Sequence, residues 1–310
     1  MNNVPWCFAL LMLVTQLPTG TLASDSLYDT IFLRCYGNTL EEYIDVPLNN
    51  TSLLASKMET NKSTTVYIHG FSESTDSKSV LTVVSAYLKR NEHNVLAADY
   101  RKIAALLYHE VVMKAPDVGR VLAEVINKIV TLGINSETIH VIGHSMGAQV
   151  AGHVGRQTNF KLSRITGLDP AGPLFNVIEE HLSSKDAKFV DIIHTDYGMY
   201  GIARMTGSVD FYPNGGHRIQ PGCPAISILL SDEDFCSHRR SWRFYAESVI
   251  DENAFLAVKC SSHLKFLTGM CKNNEKVPMG FATPSTADGA FYLVTRADSP
   301  FGLKEEGTTA

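Results

Sequence analysis

Gly143-His144-Ser145-Met146-Gly147 places a serine between two glycines. The pentapeptide follows a β-branched run, 138–142, and precedes a helix-like run, 148–156. Strand, sharp turn and helix are the setting of a nucleophile elbow. Side chains flanking so tight a turn would clash, which accounts for Gly143 and Gly147. The turn leaves the Ser145 hydroxyl exposed above a sheet, at a helix N-terminus, poised for acyl transfer.

A serine needs a base, and the base needs an orienting acid. Asp169 ends the run Ile165-Thr166-Gly167-Leu168, one helix and one strand after Ser145, and Pro170 stops that strand. Asp191 lies inside an apolar run and reads as a structural carboxylate, while Asp196, one strand further on, stays a competitor. His69 precedes Gly70-Phe71 and reads as shaping its loop; His144 is the neighbour of Ser145 and points away from it. His194 ends a strand and is the rival base. His238 comes after Asp169 and beside Cys236, giving the chain order Ser, Asp, His. The oxyanion donors expected are the N–H of Met146 and, from the loop after an earlier strand, the N–H of Phe71. One such donor is typically worth about 3 kcal/mol of transition-state stabilisation.

The surrounding pattern supplies elements to hold these groups. Strands are expected at 31–35, 65–69, 94–98, 138–142, 163–168, 189–194 and 291–295. Asp76 is the expected cap of a helix ending near Arg90, and Val118, Val121, Leu122, Val125 and Ile126 form the stripe of a helix over 117–132. Ser237 is the expected cap of a helix from His238 to about Ile250. Residues 197–222 hold six glycines and read as a long functional loop. Alternating strands and helices imply right-handed βαβ units, a mainly parallel sheet and an α/β fold with helices on both faces.

The composition agrees. Apolar residues are 45% and charged residues 19% of 310, which excludes a disordered chain. A net charge of −5 gives no basic stripe, so no nucleic-acid partner is expected. An apolar stretch over 6–17 followed by Thr21-Leu22-Ala23 reads as a signal peptide, 1–23, cut before Ser24, which leaves one catalytic domain over 24–310. No stretch is long enough to span a membrane. Secretion lets the cysteines pair. Cys7 leaves with the leader, and Cys223 with Cys236 and Cys260 with Cys271 are the simplest couples. Cys35 is left as a buried small hydrophobe. Asn49, Asn50 and Asn61 begin glycosylation sequons.

Several longer stretches match one family. Val66-Tyr67-Ile68-His69-Gly70-Phe71, the segment 140–148 around Ser145, and Gly167-Leu168-Asp169-Pro170-Ala171-Gly172-Pro173 resemble the oxyanion strand, elbow and acid motif of the pancreatic lipase family. The segments 186–196, 210–216 and 236–241 follow in family order. The resemblance implies an α/β-hydrolase fold, a secreted lipid esterase, and Ser145, Asp169 and His238 as its triad. It also implies a lid closed by Cys223–Cys236, with only twelve residues between the cysteines. Ile226, Ile228, Leu229 and Leu230 give that lid an apolar face, which either dips into lipid or packs on the sheet. A short lid and a short preceding loop resemble the phospholipase A1 branch of insect enzymes, where less cover leaves room for a polar headgroup. A triacylglycerol or galactolipid lipase is the alternative, and a non-catalytic yolk-type lipid-binding or storage protein is the alternative outside enzymes. The family's C-terminal β-sandwich is missing, so no colipase partner is expected. Asp186 matches one acidic calcium ligand of the family but Ser183 stands at another, so no metal and no cofactor is expected. Arg239, Arg240 and Arg243 read as a basic group beside His238.

Overall fold

Alternation along the strands creates two apolar faces. Val66, Leu96 and Val141 join one buried cluster with Val121, Leu122 and Val150, while Tyr67, Ala97 and Ile142 join a second with Val83, Tyr87 and Phe244. In this computed structural model, which describes residues 27–310, those faces belong to one 11-stranded sheet. Its strands are β1 (Phe32–Tyr36), β2 (Tyr43–Pro47), β3 (Ser63–Ile68), β4 (His93–Asp99), β5 (Ile139–His144), β6 (Arg164–Leu168), β7 (Phe189–Ile193), β8 (Val209–Pro213), β9 (Leu256–Lys259), β10 (Lys276–Pro278) and β11 (Gly289–Leu293). They lie in the order β10-β9-β11-β8-β7-β6-β5-β3-β4-β1-β2. The centre from β4 to β11 is parallel, and β1, β2, β9 and β10 pair antiparallel at the edges. The expected leader, its cut before Ser24 and Cys7 lie outside the described residues.

The helices are α1 (Leu27–Thr30), α2 (Thr51–Ser56), α3 (Lys78–Arg90), α4 (Arg101–Ala104), α5 (Tyr108–Thr131), α6 (Met146–Gln157), α7 (Arg240–Ile250) and α8 (His263–Leu267). Helices α5 and α6 cover one face, with α3 and α7 on the other. The sheet is therefore walled on both sides, as a parallel sheet requires.

Four boundaries differ from the sequence reading. Helix α3 starts at Lys78 after Ser77, and Asp76 instead accepts from Arg34 at 2.7 Å and Arg101 at 2.9 Å. Helix α5 begins at Tyr108 rather than 117 and contains Pro116; Val111, Val112 and Ala115 extend its buried stripe backward. The glycine-rich segment contains strand β8, whose five residues are all buried between β7 and β11. Helix α7 starts at Arg240, so His238 sits in the turn before it.

Both expected disulfides are formed, with Cα–Cα separations of 5.7 Å for Cys223–Cys236 and 5.6 Å for Cys260–Cys271. Cys35 is a free, buried thiol on β1, and burial pushes it up to about 11. Asn49, Asn50 and Asn61 are exposed, and Asn50 also caps α2 through its side-chain oxygen.

Candidate active site

Strand β5 ends where the chain must turn sharply into α6. Ser145 makes that turn at φ 55°, ψ −119°, in the left-handed region that a residue with a Cβ rarely adopts. Its N–H donates to Leu168 O at 3.0 Å and its carbonyl accepts from Ala171 N at 3.1 Å, which lock the strained turn to β6. The flanking glycines are required by packing. A Cβ on Gly143 would strike the backbone of Gly147 and Ala148, and one on Gly147 would strike the carbonyls of Ile68 and His69.

Asp169 follows β6, two positions past the residue paired with Ile192. It is fully buried at φ 46°, and its Oδ2 lies 2.5 Å from His238 Nδ1. Its other oxygen accepts from the N–H groups of Thr195 at 2.9 Å and Asp196 at 3.1 Å. A Cβ on Gly201 would come within 2.5 Å of that carboxylate, so glycine is needed there. The His238 ring is set among those of His144, Tyr200 and Phe235, at centroid distances of 4.8, 5.8 and 6.4 Å. Its carbonyl accepts from Ser241 Oγ at 2.8 Å, fixing the turn that carries it. Ser145 Oγ makes no hydrogen bond among the described residues. Such bonds commonly tighten only when substrate arrives.

The loop after β3 lies against the nucleophile: a Cβ on Gly70 would sit 3.3 Å from Ser145 Cβ. Among the described residues, neither the Phe71 N–H nor the Met146 N–H donates a hydrogen bond. Two unspent amides beside a serine can receive the negative oxygen of a tetrahedral intermediate.

One residue here escaped the sequence reading. Glu73 Oε2 accepts from the Gly70 N–H at 2.7 Å and lies 3.4 Å from His144 Nδ1. Burial alone would raise this carboxyl. The hydrogen bond and charge of His144, with the Gly70 N–H, outweigh it and bring Glu73 down to about 2. An acid three residues past the glycine of a strand-to-helix loop was the available signal.

The competing groups are occupied elsewhere. His194 Nε2 is 2.7 Å from Asp210 Oδ1, both fully buried, and its ring stacks on Tyr212. Asp191 is held by Arg164 and by Thr166 Oγ1, each at 2.8 Å. Asp196 pairs with Arg218 at 2.6 Å; burial nonetheless pushes its carboxyl up to about 6. His69 stacks on Tyr100 at 4.3 Å and shapes its loop. The three arginines near His238 do not form a basic group. Arg239 pairs with Asp232, Arg240 is buried and donates to Pro221 O and Ala297 O, and Arg243 lies over Trp242. Asp186 Oδ2 takes the Ser183 N–H at 2.8 Å and Arg156 Nη1 at 2.7 Å, so a guanidinium occupies its anionic side.

The loop closed by Cys223–Cys236 holds its apolar residues outward. Ile226 is 91% and Ile228 81% exposed, with Leu229 and Leu230 also exposed rather than packed on the sheet. Asp234 organises this loop from within. It accepts from Ser227 Oγ at 2.9 Å, Leu230 N at 3.0 Å, Arg218 Nη1 at 3.0 Å and the Tyr200 hydroxyl. Burial would raise Asp234, but these partners bring it down to about 2.

The family described as Lipase matches residues 9–301 of the chain. Pancreatic triacylglycerol lipase of Oryctolagus cuniculus is 31% identical over 291 residues, covering 87% of this chain and 62% of that protein. Lipase member H-B of Xenopus laevis is 37% identical over 201 residues, 64% of this chain and 44% of that one. Lipase member H of Mus musculus is 38% identical over 229 residues, 72% and 50% respectively. The chain thus spans about half the length of the curated relatives it matches. With the elbow at the end of β5 and the match running through nearly all of the sheet, the chain belongs to the pancreatic lipase family.

Proposed function

We propose that this chain is a secreted serine hydrolase of lipid esters and that its substrate is the sn-1 acyl ester of a glycerophospholipid. The observation that carries the hydrolase reading is the Asp169–His238 pair, 2.5 Å apart, beside a strained Ser145 and two unspent amides. His238 Nε2 takes the proton of Ser145 Oγ as that oxygen attacks the acyl carbonyl. Asp169, which accepts two backbone N–H groups, holds the imidazole by Nδ1 and stabilises its charged form. The Phe71 and Met146 amides take the oxyanion. His238 returns its proton to the departing lysophospholipid oxygen, and water then cleaves the acyl-serine by the same route.

The short Cys223–Cys236 lid supports a phospholipid over a neutral lipid, because it leaves little cover above a bulky, charged headgroup. A second reading rests on the relative from Oryctolagus cuniculus, whose name is a triacylglycerol lipase. Product analysis by mass spectrometry separates them. The purified mature chain, with Ser145→Ala beside it, is offered phosphatidylcholine with distinct sn-1 and sn-2 chains, mixed with triacylglycerol. Release of the sn-1 chain with triacylglycerol intact supports phospholipase A1. Release from triacylglycerol alone overturns the substrate and keeps the chemistry. A folded protein that releases nothing and takes no fluorophosphonate label at Ser145 overturns the hydrolase and favours a storage protein.

A further inference from the structure

The second disulfide loop carries an apolar surface that the hydrolase reading does not use. Cys260–Cys271 encloses helix α8, pinned beneath by buried Phe266 against Tyr292 and Val258. On its outer side Leu264 is 71%, Met270 69% and Leu267 51% exposed.

Its charge is opposite to that of the chain. The segment 259–276 holds Lys259, Lys265, Lys272 and Lys276 against Glu275 alone, in a protein of net charge −5. Lys259 is taken by Asp288 and Glu275, and Lys276 by Glu305. Lys265 touches only Ser261 Oγ, at 3.0 Å, and Lys272 has no side-chain partner among the described residues. Two lysines without an acidic partner among the described residues therefore lie among three exposed apolar side chains.

The loop also adjoins the connection between β7 and β8. A cleft lined by Met205, Lys265 and Met270 joins it to the segment 197–208. In that same segment, Tyr200 stacks on Phe235 at 4.5 Å and donates to Asp234, both within the Cys223–Cys236 loop. Met199 and Met205 are exposed along the way.

We infer that the Cys260–Cys271 loop is a second contact with lipid, docking on an anionic phospholipid surface through Leu264, Leu267 and Met270, with Lys265 and Lys272 meeting the headgroups. Apolar side chains entering the headgroup boundary and lysines drawn to anionic lipid are complementary contributions at such a surface. The inference rests on the lipid reading above. It adds an anchor that is rigid and outside the catalytic groups.

The test is vesicle sedimentation, which reads binding without hydrolysis. The full mature chain carrying Ser145→Ala is mixed with vesicles of phosphatidylcholine alone, or with added phosphatidylglycerol. Tighter binding to the phosphatidylglycerol vesicles, weakened by salt, is expected. The combined Leu264→Ser, Leu267→Ser and Met270→Ser variant is expected to bind both vesicles about tenfold more weakly. Lys265→Gln with Lys272→Gln is expected to abolish only the preference for phosphatidylglycerol. Thermal unfolding checks that the variants fold. Equal wild-type binding to both vesicles, or full binding by the folded triple-serine variant, overturns the inference. A triple-serine variant that turns a dimer into a monomer without loss of vesicle binding also overturns it and makes the patch a contact between two copies. The binding result is independent of whether the wild type cleaves phospholipid, so the two readings fail separately.

Discussion

The elbow and the Cys223–Cys236 loop are built on opposite terms. At the elbow the backbone does the positioning: Ser145 and Asp169 both sit at positive φ, and Gly143 and Gly147 leave no room for a Cβ. In the loop Leu230 alone sits at positive φ, and a single carboxylate, Asp234, gathers its partners while Ile226 and Ile228 stand in solvent. Reacting atoms must be held to fractions of an ångström, which sterics can enforce. A surface proposed to meet lipid needs only to present apolar area, which a polar latch can hold.

The contrast can be broken hardest at Ser145, the proposed nucleophile. Ser145→Ala is expected to lower kcat by about 10⁴-fold or more with the fold intact, read by ester hydrolysis beside circular dichroism. Wild-type-like turnover would remove the elbow from the chemistry. Gly147→Ala is the structural counterpart. Its methyl meets two carbonyls, so a loss of about 3 kcal/mol or more is expected in denaturant unfolding.

Glu73→Ala tests the loop after β3, proposed to hold the oxyanion. It frees the Gly70 N–H, and a fall of roughly tenfold in kcat with little change in KM is expected. Glu73→Gln keeps an acceptor for that amide and is expected to recover most of kcat. If both variants lose the same activity, the charge matters rather than the amide.

On the lid side, Ile226→Ser with Ile228→Ser is expected to slow hydrolysis of vesicles by a few fold more than hydrolysis of a soluble short-chain ester. Equal losses would mean the side chains act on the chemistry instead. The smallest effect concerns Asp234. Its folded value, about 2, lies below the ordinary 3.8, so its stabilisation is complete above pH ~4 and is lost as pH falls toward 2. Protease cleavage within 223–236 is expected to rise through that window in the wild type. In Asp234→Asn it is expected to be raised at neutral pH already and to change little through the window.

Much of the elbow was legible from the chain. A G-x-S-x-G turn between a β-branched run and a helix is the setting of a nucleophile elbow, and pairing each cysteine with its near neighbour is the simplest connectivity for both couples. The core strands could be read because a sheet walled on both faces needs continuous apolar runs. Strand β8 could not, since glycines on either side of five buried residues look like a loop until β7 and β11 are present to pair with them. The start of α5 was hidden by Pro116, which local propensity reads as a boundary and tertiary burial of Val111 and Ala115 overrides.

The sequence by itself determined which atoms stand at the turn after β5, because a constraint inside five consecutive residues is local. Chain order and resemblance pointed to His238 for Asp169, but the other distant partnerships, and the physical reason for that one, came from the tertiary structure. Folding committed His194 to Asp210 and left His238 to Asp169, although both histidines follow Ser145 in an acceptable order. It brought Glu73 under Gly70 and His144, and buried Arg240 in place of the expected basic group. Such pairings depend on which side chains meet across strands tens of residues apart, where desolvation favours one partner over another. Spacing along the chain does not encode where His194, Glu73 and Arg240 find their partners.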